Sequence, residues 1–242
     1  MINTTKCGIV FSLALVTLVM SPANFAADNS GNNNKVNTDW LKSRFADESP
    51  ENIKLRSAPG NPVAGKDKSL LCQGCHGEKG RSSESMIPHL AGQYGTYISK
   101  NLRNYQAGTR TNQIMSAMAA TISDDDLADI SAYFASMPKM AGDGSAENKS
   151  SAQAGKKLYL AGDMSRMVIA CTNCHGPGGK GRAPNISMFP VIGGQQAGYL
   201  KGQLIDWRNG ARTNSANAIM NTLTKKLTDS EIDSLAEYMS SL

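Results

Sequence analysis

The chain repeats itself, and what it repeats is chemically demanding. Cys72-Gln-Gly-Cys75-His76-Gly77 returns 99 positions later as Cys171-Thr-Asn-Cys174-His175-Gly176. Met86-Ile-Pro88-His-Leu-Ala-Gly92-Gln93 returns as Met188-Phe-Pro190-Val-Ile-Gly-Gly194-Gln195 at an offset of 102, and Tyr97 returns as Tyr199 at the same offset. So does Gly108-Thr-Arg110-Thr-Asn112, as Gly210-Ala-Arg212-Thr-Asn214. Ile114-Met115 matches Ile219-Met220, and Ile122 through Tyr133 matches Leu227 through Tyr238, at an offset of 105. Two three-residue insertions in the second copy reconcile these offsets. A fixed period marks a duplicated structural unit, here of roughly 90 residues, so the fold must be one small unit built twice.

Each copy reads as helical. Ser123-Asp-Asp-Asp126 and Thr228-Asp-Ser-Glu231 are helix starts in which a hydroxyl caps the first turn and an acid follows three positions on, a full capping box for Thr228 and a weaker one for Ser123. Leu127, Ile130, Tyr133 and Phe134, and likewise Ile232, Leu235, Tyr238 and Met239, then fall on one stripe at three-to-four spacing. The pattern also predicts helices over residues 62–71 and 152–161, leading toward each cysteine pair, and over 94–107 and 196–208. No alternating run suggests a sheet. The expected class is all-α, with two tandem domains at 61–137 and 151–242 and a linker at 138–150 rich in Pro, Gly and Ser.

What precedes the repeat reads differently. The one long apolar run, residues 8–20, is shorter than the ~20 residues that cross a bilayer as a helix. Lys6 precedes it and Ser21, Pro22, Ala23, Ala26 and Ala27 follow it, the order of a secretory signal, so residues 1–27 are expected to be removed. Cys7 leaves with them, and its place before the apolar run argues against a lipid anchor. The mature chain is then exported, to the periplasm. Residues 28–60 have no counterpart in the second copy. They read as a polar, partly disordered leader, with Trp40, Leu41 and Phe45 at helical spacing.

The formal net charge is +5, or +4 without Lys6. It is thinly spread: residues 28–141 carry 13 basic and 12 acidic groups and residues 142–242 carry 11 and 8, with no run of four Lys or Arg. That distribution excludes nucleic acid as a partner.

Cys-x-x-Cys followed at once by His is the signature of covalent c-type haem attachment. Two thiols three positions apart can add to the two vinyl groups of one porphyrin, and the next residue places an imidazole under the iron. Two copies imply two haems, held by Cys72 and Cys75 with His76 and by Cys171 and Cys174 with His175. A zinc ribbon separates its pairs by 15–20 residues; here 95 lie between them and a His follows each. A redox dithiol would sit near a βαβ pattern, which is absent. A disulfide within Cys-x-x-Cys gives the His no purpose.

The second axial ligand follows from the repeat. Met opposite His raises the potential of a haem iron and suits electron transfer. Met220 is the only Met between Phe189 and Tyr238 that precedes the last helix, seven residues before Leu227; Met115 lies seven before Ile122 in the first copy. Met115 and Met220 are therefore the candidate ligands, and Met118, which aligns with Leu223, is read as core. His89 aligns with Val191 and is read as surface or loop. A ligating imidazole needs its other nitrogen satisfied, often by a backbone carbonyl. Pro88 and Pro190, which follow their His by 12 and 15 residues, offer that acceptor.

These residues resemble the class I cytochromes c, and among them the di-haem cytochrome c4 family of bacterial electron carriers. The resemblance covers residues 62–242: haem motif, Pro-x-x-x-Gly-Gln, a Tyr-bearing helix, Gly-x-Arg, Met, then a capped terminal helix. It implies two helical domains packed with the haem propionates near their interface, His76 and Met115 on haem one, His175 and Met220 on haem two, and Pro88 and Pro190 orienting the imidazoles. Arg110 and Arg212 would meet propionates or stand as solvated helix-end cations. Up to four propionate charges would cancel the +4 of the mature chain.

The expected function is a monomeric periplasmic shuttle of single electrons, not an enzyme. Upstream would stand a quinol-oxidising complex or dehydrogenase, downstream a terminal oxidase or reductase, with loose membrane association left open. Two alternatives stand beside it: the electron-accepting subunit of a larger oxidoreductase, docked through residues 28–60, and a di-haem enzyme such as a peroxidase or thiosulfate-oxidising cytochrome, which needs an open, labile or thiolate-bound iron.

Overall fold

The computed structural model describes residues 60–146, 149–182 and 189–242; the expected signal and nearly all of the leader lie outside them. The first copy comprises α1 (Pro62–Lys68), α2 (Leu70–His76), α3 (Gly95–Gln106), α4 (Gln113–Ala120) and α5 (Asp124–Ala135). The second comprises α6 (Ser150–Ala161), α7 (Thr172–His175), α8 (Ala197–Asn209), α9 (Ile219–Thr224) and α10 (Asp229–Ser241). Among the described residues there is no strand, only one isolated bridge between Asp163 and Val168.

The predicted capping boxes appear at unequal strength, as their sequences differ. Thr228 Oγ1 accepts from the Glu231 N–H while Glu231 accepts from the Thr228 N–H; Ser123 accepts from the Asp126 N–H without the reciprocal backbone bond, and the Asp126 carboxyl pairs with Lys68 at 2.8 Å. The stripes these caps launch are buried: Leu127, Ile130 and Phe134 in α5, and Ile232, Leu235 and Met239 in α10. Each such side chain contributes about 2 kcal/mol by leaving water. Within a copy, the first and last helices cross, α1 on α5 and α6 on α10, and the third element packs on the last. Glycine permits the crossings. A Cβ at Gly65 would fall on the Asp129 carbonyl and one at Gly155 on that of Ser234.

Three differences from the sequence expectation have local causes. The predicted helix over 62–71 breaks at Ser69, whose hydroxyl donates to the Lys66 carbonyl at 2.9 Å and ends α1. The second copy has a nine-residue excursion between α6 and its cysteine pair, closed by the Asp163–Val168 bridge. Helices α4 and α9 carry Met115 and Met220 on segments with no clear apolar period.

The stretch between the copies is strapped down. Met140 is fully buried, and Gly142 and Gly144 donate to the Leu242 and Ser241 carbonyls at 2.6 and 2.8 Å. Lys180 Nζ adds a bond to the Met140 carbonyl at 2.7 Å.

Candidate functional site

Helix α2 carries Cys72, Cys75 and His76 on successive i, i+3 and i+4 positions, which share one helix face. Helix α7 carries Cys174 and His175, with Cys171 at its N-cap. Both helices stop at a glycine, Gly77 at φ +82° and Gly176 at φ +76°, where a side chain would be strained. A tyrosine holds each turn that follows: Tyr133 donates to the Glu78 carbonyl at 2.9 Å and Tyr159 to that of Gly176 at 2.6 Å.

The imidazoles are aimed from behind. His76 Nδ1 lies 2.7 Å from the Pro88 carbonyl and His175 Nδ1 lies 3.0 Å from that of Pro190. A carbonyl only accepts, so Nδ1 carries the proton and Nε2 is left with its lone pair. Burial lowers the pKa of both rings, against the raising effect of those carbonyl bonds, and favours the neutral form that binds metal.

The four cysteines form no disulfide. Burial raises the thiols of Cys72, Cys174 and Cys171, the last to about 11. A redox dithiol lowers its thiol pKa instead. Nor do three or more His, Cys, Asp or Glu side chains converge on a metal-sized site among the described residues, as a zinc ribbon would require.

Met115 and Cys72 pack against one core, with Leu90, Tyr105 and Ile122; Met220 and Cys171 pack against the other, with Ile192 and Ile205. Both methionines remain half-buried. Asn112 accepts from the Met115 N–H at 3.0 Å and so places it in the first turn of α4. In the second copy the insertion hands this task to Ser215, which accepts from the Met220 N–H at 3.3 Å after a turn in which Asn217 and Ala218 take φ near +50°. Met118 is half-buried rather than in the core and lines a cleft with Cys72, Leu71 and Ile130. His89 accepts from the Ser82 N–H at 3.0 Å.

Arg110 and Arg212 are not solvated. They are 7% and 5% exposed, and each reaches the other copy. Arg110 donates to Asn101, to the Tyr199 hydroxyl and to Gln203 at 2.7, 3.1 and 2.7 Å. Arg212 donates to Asn214, Gln203, the Tyr97 hydroxyl and Asn101 at 2.9, 2.6, 3.0 and 3.2 Å. The guanidiniums also stack on Tyr105 and Trp207, at 4.8 and 4.2 Å from the ring centroids. Among the described residues no carboxylate is bonded to either. Two buried cations held by neutral partners constitute a site that an anion would complete, and with free Nε2 atoms and unpaired thiols they fit a haem bearing propionates.

The comparisons with known proteins agree on one family. The cytochrome c family model matches residues 58–138 and again 152–242. Cytochrome c4 of Pseudomonas aeruginosa is 39% identical over 189 residues, which are 78% of this chain and 92% of that protein. The chain belongs to the cytochrome c4 family. The crystal structure of reduced recombinant cytochrome c4 from Pseudomonas stutzeri superimposes with a TM-score of 0.70 at 36% identity, over 76% of this chain and 99% of that one. A thiosulfate dehydrogenase electron acceptor of Stutzerimonas stutzeri is 35% identical over 75% of this chain and 81% of that protein. As a cytochrome c4, this chain has two cytochrome c domains, carries two covalently attached haem c groups and transfers electrons between redox proteins without being an enzyme.

Sequence reasoning missed the interface roles of Gln93, Gln195, Tyr97 and Tyr199. The signal was present: polar residues repeated at one offset, which a two-fold interface between copies would use.

Proposed function

We propose that this cytochrome works in the periplasm as a monomer. It accepts single electrons from a quinol-oxidising complex or dehydrogenase and passes them to a terminal oxidase or reductase. Cys72 and Cys75 hold haem one, with His76 and Met115 on its iron; Cys171 and Cys174 hold haem two, with His175 and Met220. Pro88 and Pro190 orient the imidazoles, and Arg110 and Arg212 receive propionates. Each haem supplies a one-electron ferric/ferrous couple. The domains run 61–137 and 151–242 about the 138–150 linker, behind a cleaved signal at 1–27 and a polar leader at 28–60.

One observation carries the reading: the same imidazole-to-proline-carbonyl bond occurs in both copies, which leaves two Nε2 atoms free, each in a domain with its own half-buried Met. No helix among the described residues is long and apolar enough to cross a membrane. Intact mass and a reductive titration followed in the visible test it. The expected result is two haems, both six-coordinate, slow to bind carbon monoxide when reduced. Rapid ligand binding or peroxide turnover by the oxidised protein would move the assignment to the di-haem enzyme.

The likeness to thiosulfate dehydrogenase electron acceptors favours a second reading, an accepting subunit docked through residues 28–60. Co-purification with a dehydrogenase that is lost when those residues are deleted would establish it.

A further inference from the structure

Gln93 and Gln195 are 5% exposed and each grips the other domain. Gln93 Oε1 accepts from the Val191 N–H at 3.1 Å while its Nε2 donates to the Val191 carbonyl at 2.8 Å. Gln195 does the same to His89, at 2.7 and 2.9 Å. Each Oε1 also accepts the N–H of the next residue, Tyr94 or Gln196, at 3.0 and 2.9 Å, so both amides are held in one orientation. The preceding glycines, Gly92 at φ +62° and Gly194 at φ +75°, lie against the 137–141 strap, where a Cβ would collide with Lys139 or Ala141.

The gripped residues are not arbitrary. Val191 follows Pro190 and His89 follows Pro88, the prolines whose carbonyls receive the axial imidazoles. The Pro190 C=O and the Val191 N–H belong to one planar, trans peptide group. Fixing the N–H therefore fixes the carbonyl. Hydrogen bonding at the N–H also polarises the same amide and makes its oxygen a stronger acceptor.

From this geometry we infer that the two domains position each other's haem-ligating histidine: Gln93 of the first orients His175 of the second through the Pro190–Val191 peptide, and Gln195 orients His76 through Pro88–His89. Both are positioning residues, since neither touches the imidazole. The inference rests on the ligand assignment proposed above. A stronger acceptor at Nδ1 makes the ring a better donor to ferric iron; losing the glutamine weakens it and raises the potential of the haem in the opposite domain.

The experiment is a redox titration of the holoprotein and of Gln93→Ala, Gln195→Ala and Gln93→Glu, with the paramagnetically shifted proton spectrum of each. Met115→His and Met220→His backgrounds mark which couple belongs to which domain, by removing the sulfur-to-iron band of one haem at a time. Gln93→Ala is expected to raise the midpoint of the second-domain haem and leave the first unmoved. Gln195→Ala does the converse. Gln93→Glu puts a charged, stronger acceptor on the Val191 N–H and is expected to lower the second-domain midpoint below wild type.

A shift of the haem in the variant's own domain, equal shifts in both, or no shift in either would overturn the inference. If Gln93→Ala matures with one haem only, loss of the second-domain haem supports it and loss of the first-domain haem defeats it. Failure of the ligand assignment shows separately. Met115→His and Met220→His would then leave both sulfur bands in place, whereas His76→Met or His175→Met leaving its haem's spectrum unchanged would remove the histidine ligand on which the inference rests.

Discussion

Arg110 of the first domain donates to the Tyr199 hydroxyl of the second at 3.1 Å, and Arg212 of the second donates to Tyr97 of the first at 3.0 Å. The two bonds are related by the repeat, since Tyr97 and Tyr199, like Arg110 and Arg212, stand 102 apart. One duplicated unit has become its own partner, as in an isologous dimer whose subunits are tied in series.

The interface predicts an alkaline titration. Burial raises the Tyr97 phenol, but Arg212 and Arg110 beside it prevail and bring it down to about 8 from 10.0. A phenol whose pKa falls on folding binds fewer protons in the native than in the unfolded state across that window, so stability rises with pH between about 8 and about 10 and the gain is absent below. The urea unfolding free energy of wild type minus that of Tyr97→Phe is expected to grow from about pH 7.5 to about pH 10. A difference that stays flat or shrinks would mean that propionates on Arg110 and Arg212 cancel their pull on the Tyr97 phenol.

Met115→Ala and Met220→Ala are expected to remove the sulfur-to-iron band of one haem each and to open that iron to carbon monoxide, with the other haem unchanged. The double variant loses both bands. Met118→Ala, on the same helix as Met115, leaves both in place. Visible spectra of the oxidised proteins decide it, and a band that survives in Met115→Ala but disappears in Met118→Ala would move the first-domain ligand by one helical turn.

The long helices were legible because their burial is one-sided. The stripes of α5 and α10 meet a core on one face, so a three-to-four period records where the core lies. Helix α4 was not, because Ile114 beside Met115 is 69% exposed and interrupts any stripe. The linker's Pro and Gly content showed where helices stop but could not show that Met140 is sealed beneath Gln195, since composition reports breaks and not attachments. Arg110 and Arg212 were visible as a repeated pair. Whether a repeated cation faces water or its twin depends on how two copies dock, which no local pattern encodes.

Acid should loosen the 162–170 excursion. The Asp163 carboxyl is held at about 2, first by Ser165, at 2.6 Å from its hydroxyl, and then by Arg166 at 2.8 Å. A carboxyl whose pKa is lowered on folding contributes stability above its ordinary value and loses that contribution as pH falls through the folded value. The stability advantage of wild type over Asp163→Asn is expected to persist at neutral pH and to vanish between about pH 4 and about pH 2. Denaturant midpoints at those pH values measure it.

The helix crossings can be tested by one methyl group placed in two positions. Within a helix, Gly→Ala ordinarily stabilises by up to about 1 kcal/mol, because alanine loses less backbone freedom on folding. Gly202 in α8 meets that condition: a Cβ there comes only to 3.7 Å from Met86 Cε, an ordinary contact. Gly155 in α6 does not. Its N–H donates to Ser234 Oγ at 2.7 Å, that hydroxyl donates on to the Ser151 carbonyl at 2.6 Å, and a Cβ would fall on the Ser234 backbone itself. Relief requires α6 and α10 to separate, at a cost of about 2 kcal/mol typical of overpacking. Gly202→Ala is therefore expected to raise the urea midpoint slightly and Gly155→Ala to lower it, both with unchanged slope. Equal midpoints for the two variants would mean that α6 and α10 do not cross through Gly155.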